Sequence, residues 1–143
     1  MSEKTIRIFI DSNIWFSSFY GSENCQKLIH AHQEEKIIAV VSDLVIGEIV
    51  RNVKKKLPHH FDNLKYFLLN TPPEIVPNPK TIPKKLINLA SPKDLPIFVS
   101  AIMAKVDYFV TGNIKDFSVK KLEKITGVKI LTPKEAVNIL DLS

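Results

Sequence analysis

Cysteine is almost missing from this 143-residue chain: Cys25 stands alone. No intrachain disulfide can form, no cysteine-based zinc site can be completed within one chain, and a reducing compartment fits. Glycine is scarce too, with four residues, none of them in the G-x-x-x-x-G-K pattern whose backbone cradles a nucleotide phosphate. Long hydrophobic runs are absent. Ile37 to Val41 and Tyr108 to Val110 fall far short of the roughly 20 apolar residues that cross a bilayer, so no membrane span is expected. Met1 to Arg7 is charged and leads straight into a short apolar strand, without the apolar stretch and small-residue cleavage site of a secretory leader. A cytoplasmic protein is expected. The histidines form no acid–base or metal motif, because His30 and His32, like His59 and His60, lie one or two positions apart and face different sides of a helix.

Apolar residues, by contrast, make up 45% of the chain, enough for one continuous core, and the length suits a single domain over residues 1–143. Lys and Arg number 20 against 15 Asp and Glu, a formal charge of +5 that attracts polyanions, nucleic acid above all. The same lysines also serve as solubilising charge on helix faces. Lys54, Lys55 and Lys56 close a helix before Pro58, where cations complement the helix dipole. Charge alone leaves both readings open.

Ile6 to Ile10 reads as a buried strand that stops at the polar triplet Asp11, Ser12, Asn13, as a strand entering a turn does. A helix follows from about Ser22 to Glu35, a strand from Ile37 to Val41, and a helix from Ser42 to Lys56 with Ile46, Ile49, Val50 and Val53 at helical spacing. Further helices are expected over His59 to Asn70, Lys84 to Ala90, Leu95 to Lys105 and Pro133 to Leu140. Strands are expected at Ile75 and Val76, Asp107 to Val110, and Val128 to Leu131. Apolar strands alternating with helices predict an α/β fold of three layers, α/β/α, with a central parallel sheet. Ligands of such sheets bind beyond the carboxyl ends of the strands. Asp11, Asn113 and the start of the helix after Val41 should therefore share one edge.

The acidic residues at or near that edge are Asp11, Asp43, Glu48, Asp94 and Asp116, beside the neutral oxygen donors Asn13 and Asn113. Clustered carboxylates repel one another, and a fold gains from them chiefly by binding a hard cation such as Mg²⁺ or Mn²⁺. Each residue also has a quieter explanation. Asp11 suits a turn after a strand, and Asp94, ahead of Leu95 and Pro96, suits a helix N-cap. Glu48 lies off the main apolar stripe of its helix, although Leu44 and Val45 cover part of its face.

Taken together, Phe9-Ile10-Asp11-Ser12-Asn13, Ser42 through Glu48-Ile49, Asp94-Leu95-Pro96-Ile97 leading to Ala101, and Tyr108-Phe109-Val110-Thr111-Gly112-Asn113 with Asp116-Phe117 resemble the successive motifs of PIN domains. The resemblance covers nearly the whole chain. It implies a parallel sheet between helices, Mg²⁺- or Mn²⁺-dependent hydrolysis of RNA, and kinship with VapC-type toxins, whose partner is an antitoxin protein. Carried over by position, Asp11, Glu48 and Asp94 form the central catalytic and metal-binding set, and Asn113 and Asp116 complete the metal ligands. Asp11 and Asp94 would be the principal ligands, while Glu48 would ligate, orient the attacking water or accept its proton. The chain departs from the pattern at Asn113, often aspartate in the family, and at Ser91, Pro92 and Lys93, where some relatives carry further acids.

Two other readings stand beside this one. A phosphotransferase of the haloacid dehalogenase type also begins with aspartate after its first strand, but needs a second aspartate where Asn13 stands. The alternative within the family is a catalytically weak PIN-like domain that binds RNA or a partner protein without cleavage. Trp15 with Phe19, and Phe16 with Tyr20, pair at helical spacing; one pair is expected in the core and the other at a homodimer or antitoxin contact, with base stacking a further use.

Overall fold

Short strands that are apolar on both faces need helices above and below them. In the computed structural model, which describes residues 5–142, five strands build one sheet, the edge strand β3 being largely exposed: β1 (Arg7–Ile10), β2 (Ile38–Ser42), β3 (Glu74–Val76), β4 (Tyr108–Val110) and β5 (Lys129–Leu131). Their order is β3-β2-β1-β4-β5, and every neighbouring pair is parallel. Seven α-helices accompany them: α1 (Ser12–Phe19), α2 (Glu23–Gln33), α3 (Asp43–Lys56), α4 (Phe61–Asn70), α5 (Leu95–Met103), α6 (Val119–Thr126) and α7 (Pro133–Ile139). The chain moves outward from β1 to β3, then returns past β1 to β4 and β5. With right-handed crossovers, that reversal puts α1 to α4 on one face and α5 and α6 on the other. The packing of α1 on α2 and α3, and of α7 on α2, fits this three-layer arrangement.

The central face is aromatic. Phe9 and Phe109, paired side by side in the β1–β4 ladder, stack at 5.3 Å, and Phe98 of α5 meets Phe109 edge-on at 5.1 Å. Arg7 ties the other end of the sheet, bonding Glu74 of β3 through its guanidinium and Asp107 through its backbone N–H. No helix among the described residues is long and apolar enough to cross a membrane.

Three elements differ from the sequence expectation. The polar triplet is not a free turn, because Asp11 is the N-cap of α1, with extended backbone and Ser12 as the first helical residue. Lys84 to Ala90 is helical only as the 3₁₀ turn Lys84–Leu86; Asn88 adopts φ 73° and Ala90 is drawn into an antiparallel bridge with Phe117. Helix α6 was unforeseen. It buries Leu122 behind a basic face of Lys120, Lys121 and Lys124, and Gly127, at φ 76°, ends it in the left-handed conformation that glycine tolerates best.

Candidate active site

The strand order reverses between β1 and β4, so their carboxyl ends part around a crevice, and the chain places its polar residues there. Asp11 continues the β1–β4 ladder by one bond, its N–H donating to the Val110 carbonyl at 3.0 Å, before the chain turns into α1. Its side chain is buried. Oδ1 accepts from the Ser12 N–H at 2.8 Å, and Oδ2 accepts from the Thr111 hydroxyl at 3.0 Å and from Asn13 Nδ2 at 3.3 Å. Burial pushes its carboxyl up to about 6 from an ordinary 3.8; the bonds from Ser12 and Thr111 soften the rise, and the charges of Asp94 and Glu48 add to it.

Thr111, wholly buried, both donates to Asp11 and accepts from the Asn113 N–H at 3.1 Å. The Gly112 N–H donates to Asn13 Oδ1 at 2.8 Å, and a Cβ at position 112 would stand 3.0 Å from that oxygen. This close approach explains the glycine. Threonine and asparagine thus lock the two strand ends together around the carboxylate.

Helix α3 and the start of α5 bring in the other acids. Glu48 is half-buried, its Oε2 accepting from the Ser12 hydroxyl at 3.2 Å. Asp94 stands at the N-cap position of α5, yet its backbone is helical and its carboxylate caps nothing; Oδ2 accepts from the Ser91 hydroxyl at 2.6 Å. The helix-capping explanation for Asp94 therefore does not hold for its side chain. Asp11, Glu48, Asp94 and Asn113 line one cleft of about 240 Å³, together with Ser12, Asn13, Phe16, Asn52, Lys56 and Lys93.

Asp116 is exposed and lines a different recess with Asn88, Ser91, Lys115 and Ser118. Asp43 is exposed in the first turn of α3, outside the acidic cleft. Among the described residues, no three or more His, Cys, Asp or Glu side chains are arranged to hold a metal ion by themselves. The donors in the cleft are all oxygens, however, and a Mg²⁺-like ion needs only one or two carboxylates when water and substrate oxygens complete its shell. Asp11, Asp94, Glu48 and Asn113 are the residues that could hold one.

Sequence reasoning passed over Ser12, Ser91 and Thr111, which orient the acids, and Asn52, Lys56 and Lys93 at the rim. Lys56 Nζ stands 5.6 Å from the centroid of the Phe16 ring, and Tyr20 meets that ring edge-on at 5.1 Å. Of the aromatic quartet, Trp15 is core and bonds the Ile10 carbonyl through Nε1 at 3.1 Å, while Tyr20 is 65% exposed. A second, mainly apolar groove of about 420 Å³ lies between α1, α2 and α4, lined by Trp15, Phe19, Leu64, Tyr66 and Phe67 among others.

Residues 7–115 match the family model described as PIN domain. Among solved structures, the chain is similar to the crystal structure of VapBC2 from Rickettsia felis bound to a DNA fragment from their promoter, with 18% identity and a TM-score of 0.61 over 89% of this chain and 98% of that one. It is similar also to a toxin–antitoxin complex from Klebsiella pneumoniae, with 19% identity and a TM-score of 0.61 over 88% of this chain and 97% of that one. At such identities the likeness is one of fold. No curated protein matches the chain.

Proposed function

The chain belongs to the PIN-domain family, and from that membership we propose that it is a divalent-metal-dependent ribonuclease, acting in the cytoplasm as the toxin of a toxin–antitoxin pair. The observation that carries the proposal is the convergence of Asp11, Glu48 and Asp94 on one cleft, with Asp11 buried and its ionisation resisted. A carboxylate buried beside two others is costly without a cation, and functional sites are where such arrangements collect.

Mg²⁺ or Mn²⁺ held by Asp11 and Asp94, with Glu48 and Asn113 beside them, would supply Lewis acidity to the phosphoryl oxygens and lower the pKa of an attacking water. The residues of the chain do the rest. Ser12, Asn13 and Thr111 fix the Asp11 carboxylate, and Ser91 fixes Asp94. Glu48, which accepts from the Ser12 hydroxyl at the cleft wall, would accept a proton from the attacking water. Lys93 and Lys56 at the rim offer charge to the flanking phosphates.

The proposed partners are RNA, an antitoxin protein and a second copy of this chain. Support for the antitoxin comes from the fold shared with the two toxin–antitoxin complexes and from the apolar groove along α1, α2 and α4, a form suited to an amphipathic helix. A second reading, RNA or protein binding without cleavage, draws on Asn113 and on the absence of a preassembled acidic triad among the described residues.

Purified protein should cut single-stranded RNA with added Mg²⁺ or Mn²⁺, and Asp94→Asn should abolish cutting while keeping the fold, since Asp94 accepts only from Ser91 within its own turn. Cleavage that survives excess chelator, or persists in the variant, would sink the metal mechanism. Binding without any cleavage by wild type would establish the second reading.

A further inference from the structure

Across Glu48 from the acidic cleft lies a second recess of about 290 Å³, lined by Leu44, Glu48, Arg51, Asn52, Lys93 and Ile97. The two share Glu48, Asn52 and Lys93, so together they form one trough across α3. The recess is amphipathic. Leu44, 40% exposed, and Ile97 give it an apolar floor, whereas Arg51 and Lys93 stand exposed at its rim. Among the described residues neither cation is paired with a carboxylate. Glu48, which lines the same recess, accepts from the Ser12 hydroxyl.

Gly47 makes room for this arrangement. In a helix interior glycine is a poor choice, yet a Cβ there would stand 3.2 Å from Arg51 Nη1. The guanidinium lies against the bare backbone one turn from its own Cα, and a Cβ at position 47 would require it to shift by a few tenths of an ångström.

We propose that this recess is a one-nucleotide subsite for single-stranded RNA, taking the nucleotide next to the scissile phosphate. Its phosphate sits on Arg51 and Lys93, and its ribose and base lie on Leu44. The volume, near the ~300 Å³ lower end of small-molecule pockets, suits one nucleotide. Arg51 and Lys93 contact only the backbone there, so the subsite orients the strand without reading sequence. The inference rests on RNA being the substrate, but not on its being cut.

The test is therefore made first on binding. Fluorescence anisotropy of a short labelled single-stranded RNA, in chelator, compares wild type with Arg51→Gln, Lys93→Gln and Arg51→Lys, and with Lys120→Gln on the exposed face of α6 as control. Each Gln variant in the subsite should bind about tenfold more weakly, and its slope of log affinity against log salt should shrink by about 0.7. Arg51→Lys should recover most of the slope, and Lys120→Gln should match wild type. In cleavage with Mn²⁺ the Gln variants should raise KM and keep kcat. Wild-type affinity and slope in Arg51→Gln and Lys93→Gln would overturn the subsite, even if the protein cuts RNA efficiently. The expected binding pattern in a protein that cuts nothing would uphold the subsite and reject the nuclease reading.

Discussion

Substituting Asp11 by Asn probes the heart of the cleft, because one change of charge should alter stability, its pH dependence and its response to metal together. The Asp11 carboxyl has a pKa of about 6 in the fold against an ordinary 3.8. A folded-state pKa raised above the unfolded value means that the stability contributed by the neutral acid is present at low pH and lost as pH rises through about 6. The full effect is about 3 kcal/mol. Asparagine escapes that loss but accepts with one atom only. Its amide must face either the Ser12 N–H or the Asn13 amide, leaving a donor unmet at roughly 1–3 kcal/mol. At about pH 7.5 the metal-free variant should therefore be as stable as wild type or up to about 2 kcal/mol more so. Towards about pH 4 the comparison should shift by about 2–3 kcal/mol in favour of wild type. Urea unfolding at both pH values measures this. Saturating Mn²⁺, at a hundredfold excess over its dissociation constant, should stabilise wild type by about 2.7 kcal/mol, a rise in Tm of about 8 °C, and the variant should lose most of that rise. A difference between the proteins that ignores pH would refute the buried-charge argument. An undiminished Mn²⁺ response in the variant would remove Asp11 from the metal site.

Two further substitutions test the scaffold around that carboxylate. Thr111→Val removes the hydroxyl that donates to Asp11 and accepts from Asn113, and should destabilise the protein by about 1–3 kcal/mol while raising the Asp11 pKa further, which NMR titration of the carboxyl would follow. Gly112→Ala places a methyl group 3.0 Å from Asn13 Oδ1 and should lower both Tm and RNA cleavage, whereas a neutral result would show that the strand ends are free to move apart.

The strand set and the convergence of acids on one sheet edge were legible because they depend on local signals: apolar runs, and acids placed just beyond them. Asp11 and Asn113 follow from that edge rule, Glu48 and Asp94 from the resemblance to PIN domains, and the four share a cleft. What escaped was set by neighbours distant in sequence. Asp-Ser-Asn after a strand spells a turn and a helix N-cap equally well, and only the i,i+4 aromatics from Trp15 to Tyr20 carried the sign of α1. Thr111 looked like part of a loop, yet it is wholly buried because the Asp11 carboxylate, a hundred positions earlier, receives its hydroxyl. Asp116 points elsewhere for a similar reason: the 3₁₀ turn Ile114–Asp116 sets its direction, and no periodicity predicts such a turn.

The bonds that lock the cleft, Thr111 to Asp11 and Gly112 to Asn13, join residues 100 and 99 positions apart. Such closures form only after the intervening chain has been ordered, which ties the site to the slow, non-local part of folding. They also set a clock on synthesis. At about 5–20 residues per second a ribosome needs several seconds to pass from Asp11 to Gly112, and through that interval the first acid has neither its hydroxyl donor nor its facing strand. The emerging chain therefore carries Asp11 long before it carries the strand end that closes the cleft around it.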